Sequence, residues 1–398
     1  MTCHQVGYTL FFSHLIFVLV GCGSPGQPTV KNARFVGKEE LQVIHPDLDF
    51  EGIRDLVVTP TAVWVLDGGE PFLTRVSLDD GSAIQFGRKG RGPEELRNPW
   101  SIQWVGTDGE DTIMVWDLGN SRVSRFDGDG FLLDSQKVPR DNWMRVRANI
   151  REVSYVDPFR IRRVGGGFAH THFPSRVNRT SDFSRGVLQI GDPHLNPNRR
   201  LVRLADHVPK VGSSLREWGA MPVWDACGEG VSLWSPALSQ ALWIDAEGRV
   251  VDRVQVAIPS HPISVDDIAT YLRRMARLEL GPDFAEAGID FSRLARQYRG
   301  RFAESSPQAM DLRCGADSTI WLRLFGTSHD ALGRGQKWIQ LSREGLFREL
   351  AFHHRFCPLA FGDKAVFGLL EATSGAQHLA RWDDREESDQ NSLSSTPE

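Results

Sequence analysis

The run Val63-Trp64-Val65-Leu66-Asp67 returns fifty residues later as Ile113-Met114-Val115-Trp116-Asp117, and that return constrains the chain more than any other feature. Both copies read as strands of β-branched and aromatic residues closed by an acidic turn residue. A unit of a few short strands cannot bury its own faces, so copies spaced by about 40 to 50 residues must stack on one another. A length of 398 residues suits six or seven such units arranged round an axis.

The remaining strands fall into place around these two. Blade 1 is expected near 52–58, 62–67, 72–78 and 82–87, and blade 2 near 101–105, 112–117, 121–127 and 131–138. Blade 3 is expected near 159–164, 167–173, 185–190 and 201–205, blade 4 near 222–226, 230–234, 240–245 and 249–257, and blade 5 near 309–313, 318–324, 337–342 and 346–352. Third strands end on acidic-Gly turns, as in Asp127-Gly128-Asp129-Gly130, Asp245-Ala246-Glu247-Gly248 and Ser342-Arg343-Glu344-Gly345, with Asp79-Asp80-Gly81 one residue shorter. A hairpin turn of this kind needs a residue that tolerates positive φ, which Gly supplies. The last unit has only three strands of its own, near 357–361, 364–370 and 377–382, and the short strand at residues 40–44 is expected to complete it. Closure by the N-terminal strand removes the edge that an open ring would leave. The fold class is therefore all-β, a six-bladed β-propeller over residues 40–383 with its last blade closed from the N-terminal side.

Between blades 4 and 5 the period changes. Over residues 259–306 a capping-box-like start at Ser264-Val265-Asp266-Asp267 leads into Ile268, Leu272, Met275 and Leu278 on one helical face, opposite Arg273, Arg274 and Arg277. A second helix then gathers Phe291, Leu294, Tyr298 and Phe302. This helical insertion is expected over the face carrying the inter-blade linkers. The acidic, Ser-rich residues 384–398 read as a disordered tail.

Residues 10–20 are apolar apart from Ser13 and His14, and too short to span a bilayer, which takes about 20 residues. They suit the core of a signal peptide, the alternative being a buried N-terminal strand. Leu19-Val20-Gly21-Cys22 resembles the bacterial lipobox, which implies lipidation of Cys22, a signal over residues 1–22 and a tethering linker over 23–39. Gly23 in the next position is similar to lipoproteins of the outer membrane. The resemblance implies a protein of the bacterial cell envelope on its periplasmic or extracellular side, reaching the membrane through its lipid alone. A net charge of −5 gives no general pull towards nucleic acid. Cys227, Cys314 and Cys357 remain in the body, without CxxC or Cys/His metal spacing. They are expected as buried free thiols, with one disulfide as the alternative.

Gly87-Arg88-Lys89-Gly90-Arg91-Gly92-Pro93-Glu94-Glu95-Leu96 before Asn98-Pro99, and Asp117-Leu118-Gly119-Asn120-Ser121-Arg122-Val123, resemble the linker and third-strand entry of NHL-type six-bladed propellers. Relatives of known chemistry in that group include lactonases and amidating lyases, which implies calcium or zinc in a central channel as one possible cofactor.

Two sets of candidate site residues follow. Arg88, Arg91, Arg145, Arg147, Arg216 and Arg273 are expected on the linker face, where guanidinium groups would receive an anionic small molecule, a glycan or an envelope protein partner. The reading is a monomeric, non-enzymatic binding propeller without a cofactor. Against it stand ordinary solvated arginines paired with Glu94, Glu95, Asp141 and Glu217. The alternative function is a metal-dependent lyase or lactonase, with Asp67, Asp117, His170, His172 and His329 near one rim of the channel. Turn-capping carboxylates and surface histidines are the plain reading of that second set.

Overall fold

A computed structural model describes residues 33–106, 111–138, 161–165, 167–172, 186–192, 197–209, 219–280, 288–315, 317–325, 336–362 and 364–384. Two N-terminal strands, β1 (Ala33–Val36) and β2 (Leu41–Val43), precede the first blade. Blade 1 is β3 (Ile53–Val58), β4 (Ala62–Asp67), β5 (Leu73–Ser77) and β6 (Ala83–Phe86). Blade 2 is β7 (Pro99–Trp104), β8 (Ile113–Asp117), β9 (Arg122–Phe126) and β10 (Leu132–Lys137). Blade 3 follows as β11 (Ile161–Val164), β12 (Gly167–His172), β13 (Val187–Gly191) and β14 (Pro197–Arg203), and blade 4 as β15 (Val223–Cys227), β16 (Gly230–Ser235), β17 (Gln240–Ile244) and β18 (Val250–Gln255). Helices α1 (Val265–Leu280) and α2 (Phe291–Tyr298) come next. Blade 5 is β19 (Ala309–Cys314), β20 (Ile320–Leu324), β21 (Lys337–Ser342) and β22 (Gly345–Phe352); blade 6 is β23 (Phe356–Phe361), β24 (Ala365–Glu371) and β25 (Gln377–Asp383). Each blade is an antiparallel meander, and the six sheets make the expected six-bladed propeller.

The apolar core lies between blades. Alternation along β4 sends Ala62, Trp64 and Leu66 into the cluster shared with blade 2, while Val63 and Val65 enter the cluster shared with blade 6. In β8 the same period sends Ile113 and Val115 back to blade 1, and Met114 and Trp116 forward to blade 3. Blades 3 and 4, 4 and 5, and 5 and 6 each share one further cluster. A second strand packed on both faces has no solvent side, which is why β4, β8 and β16 are buried at every residue. Trp64, Trp116, Trp234 and Trp321, all 3% exposed or less, are core residues of these joints. Outer strands show the opposite pattern, β10 having no buried residue.

Closure occurs where it is expected: Leu41 pairs with Trp382, Gln42 with Arg381 and Val43 with Ala380. Within the stretch read as linker, however, β1 forms a fifth strand on blade 5, parallel to β22 from Ala33↔Glu349 to Val36↔Phe352. Val36 is fully buried and Phe35 is 61% exposed, the alternation of a half-buried edge strand. Glu40 secures the turn between β1 and β2 by accepting from Arg34 at 2.7 Å and from the Gly37 N–H at 3.0 Å. The N-terminal segment thus clasps blades 5 and 6 together. The acidic-Gly turns have the required geometry, with φ of 86° at Gly130 and 82° at Gly248.

The expectation of free thiols at Cys227 and Cys314 is corrected. The two form a disulfide with Cα atoms 5.3 Å apart, while Cys357 stays free and half-buried. Cys227 and Cys314 end the innermost strands of neighbouring blades, and innermost strands converge on the axis. Inter-blade spacing is smallest there, within the reach of a disulfide.

The insertion carries its own core of Ile263, Ile268, Ala269, Phe291, Ala295 and Phe302, and docks on Met310 at the start of β19 and Phe325 just past β20. Ser264 and Asp267 exchange capping hydrogen bonds, the Ser264 N–H donating to Asp267 at 2.8 Å and the Asp267 N–H to Ser264 Oγ at 3.1 Å. Its position on the linker face agrees with expectation. Among the described residues no helix is long and apolar enough to cross a membrane.

Candidate functional site

Of the linker-face arginines, Arg88 pairs with Glu95 at 3.0 Å and keeps 80% of its side chain exposed. Arg91 is exposed on the same loop. Arg273 is exposed on α1, its guanidinium 5.3 Å from the centre of the Phe291 ring. These three share a face but sit at the 1/2 and 4/5 joints, three blades apart on a six-bladed ring. Arg145, Arg147 and Arg216 lie outside the described residues, as do Cys22 and His329.

Asp67 and Asp117 play one role twice. Asp67 accepts from the backbone N–H groups of Glu51 at 3.0 Å, Gly52 at 2.7 Å and Gly68 at 2.6 Å. Asp117 accepts from Arg97 at 3.1 Å, Asn98 at 3.0 Å, Gly119 at 3.1 Å and Asn120 at 3.3 Å. Each carboxylate thereby ties the end of a second strand to the entry of the first strand of its own blade. Asn120 donates to the Gly90 carbonyl at 2.9 Å and Arg122 donates to the Glu95 carbonyl, so the linker after blade 1 and the entry to β9 interlock. His170 is buried in β12, 3.5 Å from the Gln189 amide, and His172 ends the same strand. Among the described residues no group of three or more His, Cys, Asp or Glu side chains is disposed to hold a metal ion.

Another site lies on the axis. A funnel of about 550 Å³ is lined by residues 56–60 of blade 1, Trp104 of blade 2, residues 359–362 of blade 6, and Arg162, Asp225 and Arg313. These are the downstream ends of innermost strands, with their first hairpins. The funnel therefore opens on the face opposite the linkers and the helical insertion. Its walls are chiefly apolar and its base is charged.

The base is an ion network binding five blades. Arg162 in blade 3 donates through Nε to Asp225 of blade 4 at 2.9 Å and through Nη2 to Asp55 of blade 1 at 3.4 Å. Arg313 in blade 5 donates through Nη1 to Asp55 at 3.2 Å and through Nε to Asp311 at 3.1 Å. The carboxylates also cap free edges of neighbouring innermost strands: Asp55 accepts the Ile102 N–H of blade 2 at 3.1 Å and Asp225 accepts the Cys314 N–H at 3.3 Å. Burial disfavours the charge on Arg162, but Asp55 and Asp225 outweigh it against repulsion from Arg313, and its pKa is held above the ordinary arginine value. Burial acts likewise on Arg313, where Asp311, Asp55 and Asp225 prevail and raise it further. Both guanidiniums are permanent charges. The sequence carried a signal for this network that hydrophobic patterning passes over: Asp55, Arg162, Asp225, Asp311 and Arg313 interrupt first strands that are otherwise chiefly apolar.

A second carboxylate joins blades 1 and 2 off the axis. Asp111 accepts from Trp64 Nε1 at 3.1 Å, Arg75 Nε at 2.8 Å and Thr61 Oγ1 at 2.9 Å. Burial alone would raise its pKa, but hydrogen bonds from Thr59, Arg75, Trp64 and Thr61 prevail and lower it. A carboxyl depressed in the folded state contributes stability that is present above its unfolded pKa of about 3.9 and lost as pH falls through the folded value. Asp111→Asn is therefore expected to unfold at lower urea than the parent at pH 7, and the gap should shrink below about pH 4. An unchanged gap from pH 7 to pH 3 would contradict this assignment.

No protein-family model matches the chain, and a search of curated proteins finds no match. Solved structures of similar shape include a Bacteroides fragilis protein, with 10% identity, a TM-score of 0.49, and coverage of 88% of this chain and 99% of that one. A catalytically inactive virginiamycin B lyase from Staphylococcus aureus with quinupristin shows 10% identity and a TM-score of 0.41 over 86% of this chain and 98% of that one. A calcium-binding protein, regucalcin, from Agrobacterium tumefaciens shows 9% identity and a TM-score of 0.40 over 88% and 95%.

Proposed function

We propose that the protein is a non-enzymatic binding propeller of the bacterial cell envelope, NHL-like in its repeats and tethered by lipid on Cys22, which receives a small ligand in its axial funnel. The observation that carries this reading is the funnel itself: its volume of about 550 Å³ falls within the range of about 300–1,000 Å³ usual for small-molecule pockets, with mostly apolar walls and a few converging polar groups. The carboxylates at its base are each engaged by arginine and backbone N–H groups. That commitment suits holding blades in place better than moving protons. The Cys227–Cys314 disulfide fits an oxidising, extracytoplasmic compartment, in keeping with the lipobox.

Val57 lines the funnel, and Val57→Trp is expected to fill it. In a thermal-shift and calorimetric screen of the signal-less protein, ligands bound by the parent should lose affinity for Val57→Trp by a hundred-fold or more (about 2.7 kcal/mol) and bind Arg91→Ala unchanged. Loss in Arg91→Ala with Val57→Trp unaffected would return the site to the linker face. Tight stoichiometric calcium or zinc would favour the metal-dependent alternative. Radiolabelled fatty acid should enter the full chain in cells and fail to enter Cys22→Ser.

A further inference from the structure

The base of the funnel presents a hydrogen-bond donor. Arg313 lines the cavity, its side chain is 12% exposed, and its contacts with Asp311 and Asp55 use Nε and Nη1. Its Nη2 amino group stands outside the network. Asp225, the lining carboxylate, already accepts on both oxygens, from Arg162 Nε and the Cys314 N–H. An incoming group therefore meets an N–H that seeks an oxygen.

Charge decides which kind of oxygen. Among the described residues the network holds three carboxylates, Asp55, Asp225 and Asp311, against two guanidiniums, Arg162 and Arg313. Counted over these five side chains positive charge is not in surplus, and a carboxylate entering among them would give up its hydration beside like charges. A carbonyl gives up far less and still accepts from Nη2. The walls ask for an apolar remainder: Leu56, Val57, Leu359, Trp104 and Phe361 all line the cavity.

We propose, on the reading of the funnel given above, that its ligand is an uncharged apolar molecule inserted head-first, with an amide carbonyl accepting from Arg313 Nη2. The polar specificity of the site then resides in one donor arm, and the shape specificity in the wall.

Calorimetry with 4-phenylbutanamide, 4-phenylbutanoic acid and 4-phenylbutylamine tests this on the signal-less protein. The amide is expected to bind about ten-fold more tightly than either charged analogue. Arg313→Lys keeps a cation opposite Asp55 and Asp311 without the second arm, and should lose most of that preference. Should that variant not fold, butylbenzene, which has the same apolar body and no carbonyl, reads the same contact from the ligand side and should also bind about ten-fold more weakly. Tightest binding of the acid or the amine, abolished by Val57→Trp, would overturn the carbonyl proposal and leave the funnel reading standing. Absence of binding by the whole series, or binding that survives Val57→Trp, would overturn both.

Discussion

Arg162→Ala is expected to destabilise the propeller by about 3–5 kcal/mol, the range seen when one partner of a buried ion pair is removed. Arg162 is buried and makes contact with three other blades: Asp55 of blade 1, Asp225 of blade 4 and the Ile102 carbonyl of blade 2. Its loss takes one guanidinium from two interior carboxylates, with Arg313 remaining near both. Urea denaturation at pH 7 should show a lower midpoint with little change in slope. Arg162→Met in the background of Asp225→Leu should recover much of the loss, because replacing both partners removes the uncompensated charge. A single variant within about 0.5 kcal/mol of the parent would mean that the network contributes nothing to closing the ring.

Removing the disulfide should have an effect of similar size. Replacing Cys227 and Cys314 by Ala opens a covalent loop spanning 87 residues, a change worth about 2–5 kcal/mol in secreted domains. The joint it crosses gives the bond particular weight. Blades 4 and 5 are connected by residues 256–308, the insertion included, where the blade 1 to 2 linker takes only residues 87–98. A long connection leaves the two blades more freedom in the unfolded chain, and the disulfide restores a short tie between their innermost strands. The prediction is a lower denaturant midpoint for the double variant, and for the parent after reduction, with identical midpoints for the two. Equal stability of oxidised and reduced parent protein would contradict it.

The architecture was largely legible because its signals are local and repeated. Period-two burial in second strands, acidic-Gly turns and a shift to helical period after residue 258 each mark one element, and the missing fourth strand of blade 6 called for a partner near residues 40–44. β1 escaped because four residues, Ala-Arg-Phe-Val, between polar neighbours have no pattern long enough to separate strand from linker. The disulfide stood only as the alternative for a different reason: the spacing of 87 residues says nothing about convergence at an axis, which only the closed ring creates. The site was legible least of all. Exposed arginines stand out in a sequence because they cluster along the chain, whereas Asp55, Arg162, Asp225 and Arg313 are far apart in sequence and meet only where four innermost strands approach one another. Asp67 and Asp117 were visible as a repeated pair, and the repetition reflects a structural duty at the entry of each blade.

Native mass spectrometry of the full chain purified from the cells that make it tests most directly whether the axial funnel is a binding site. The parent should carry a drug-sized adduct that is released on denaturation, and Val57→Trp purified in the same way should lack it. Equal adduct occupancy in the two proteins, or a parent free of any adduct together with a Val57→Trp protein indistinguishable from it in every ligand screen, would contradict the account.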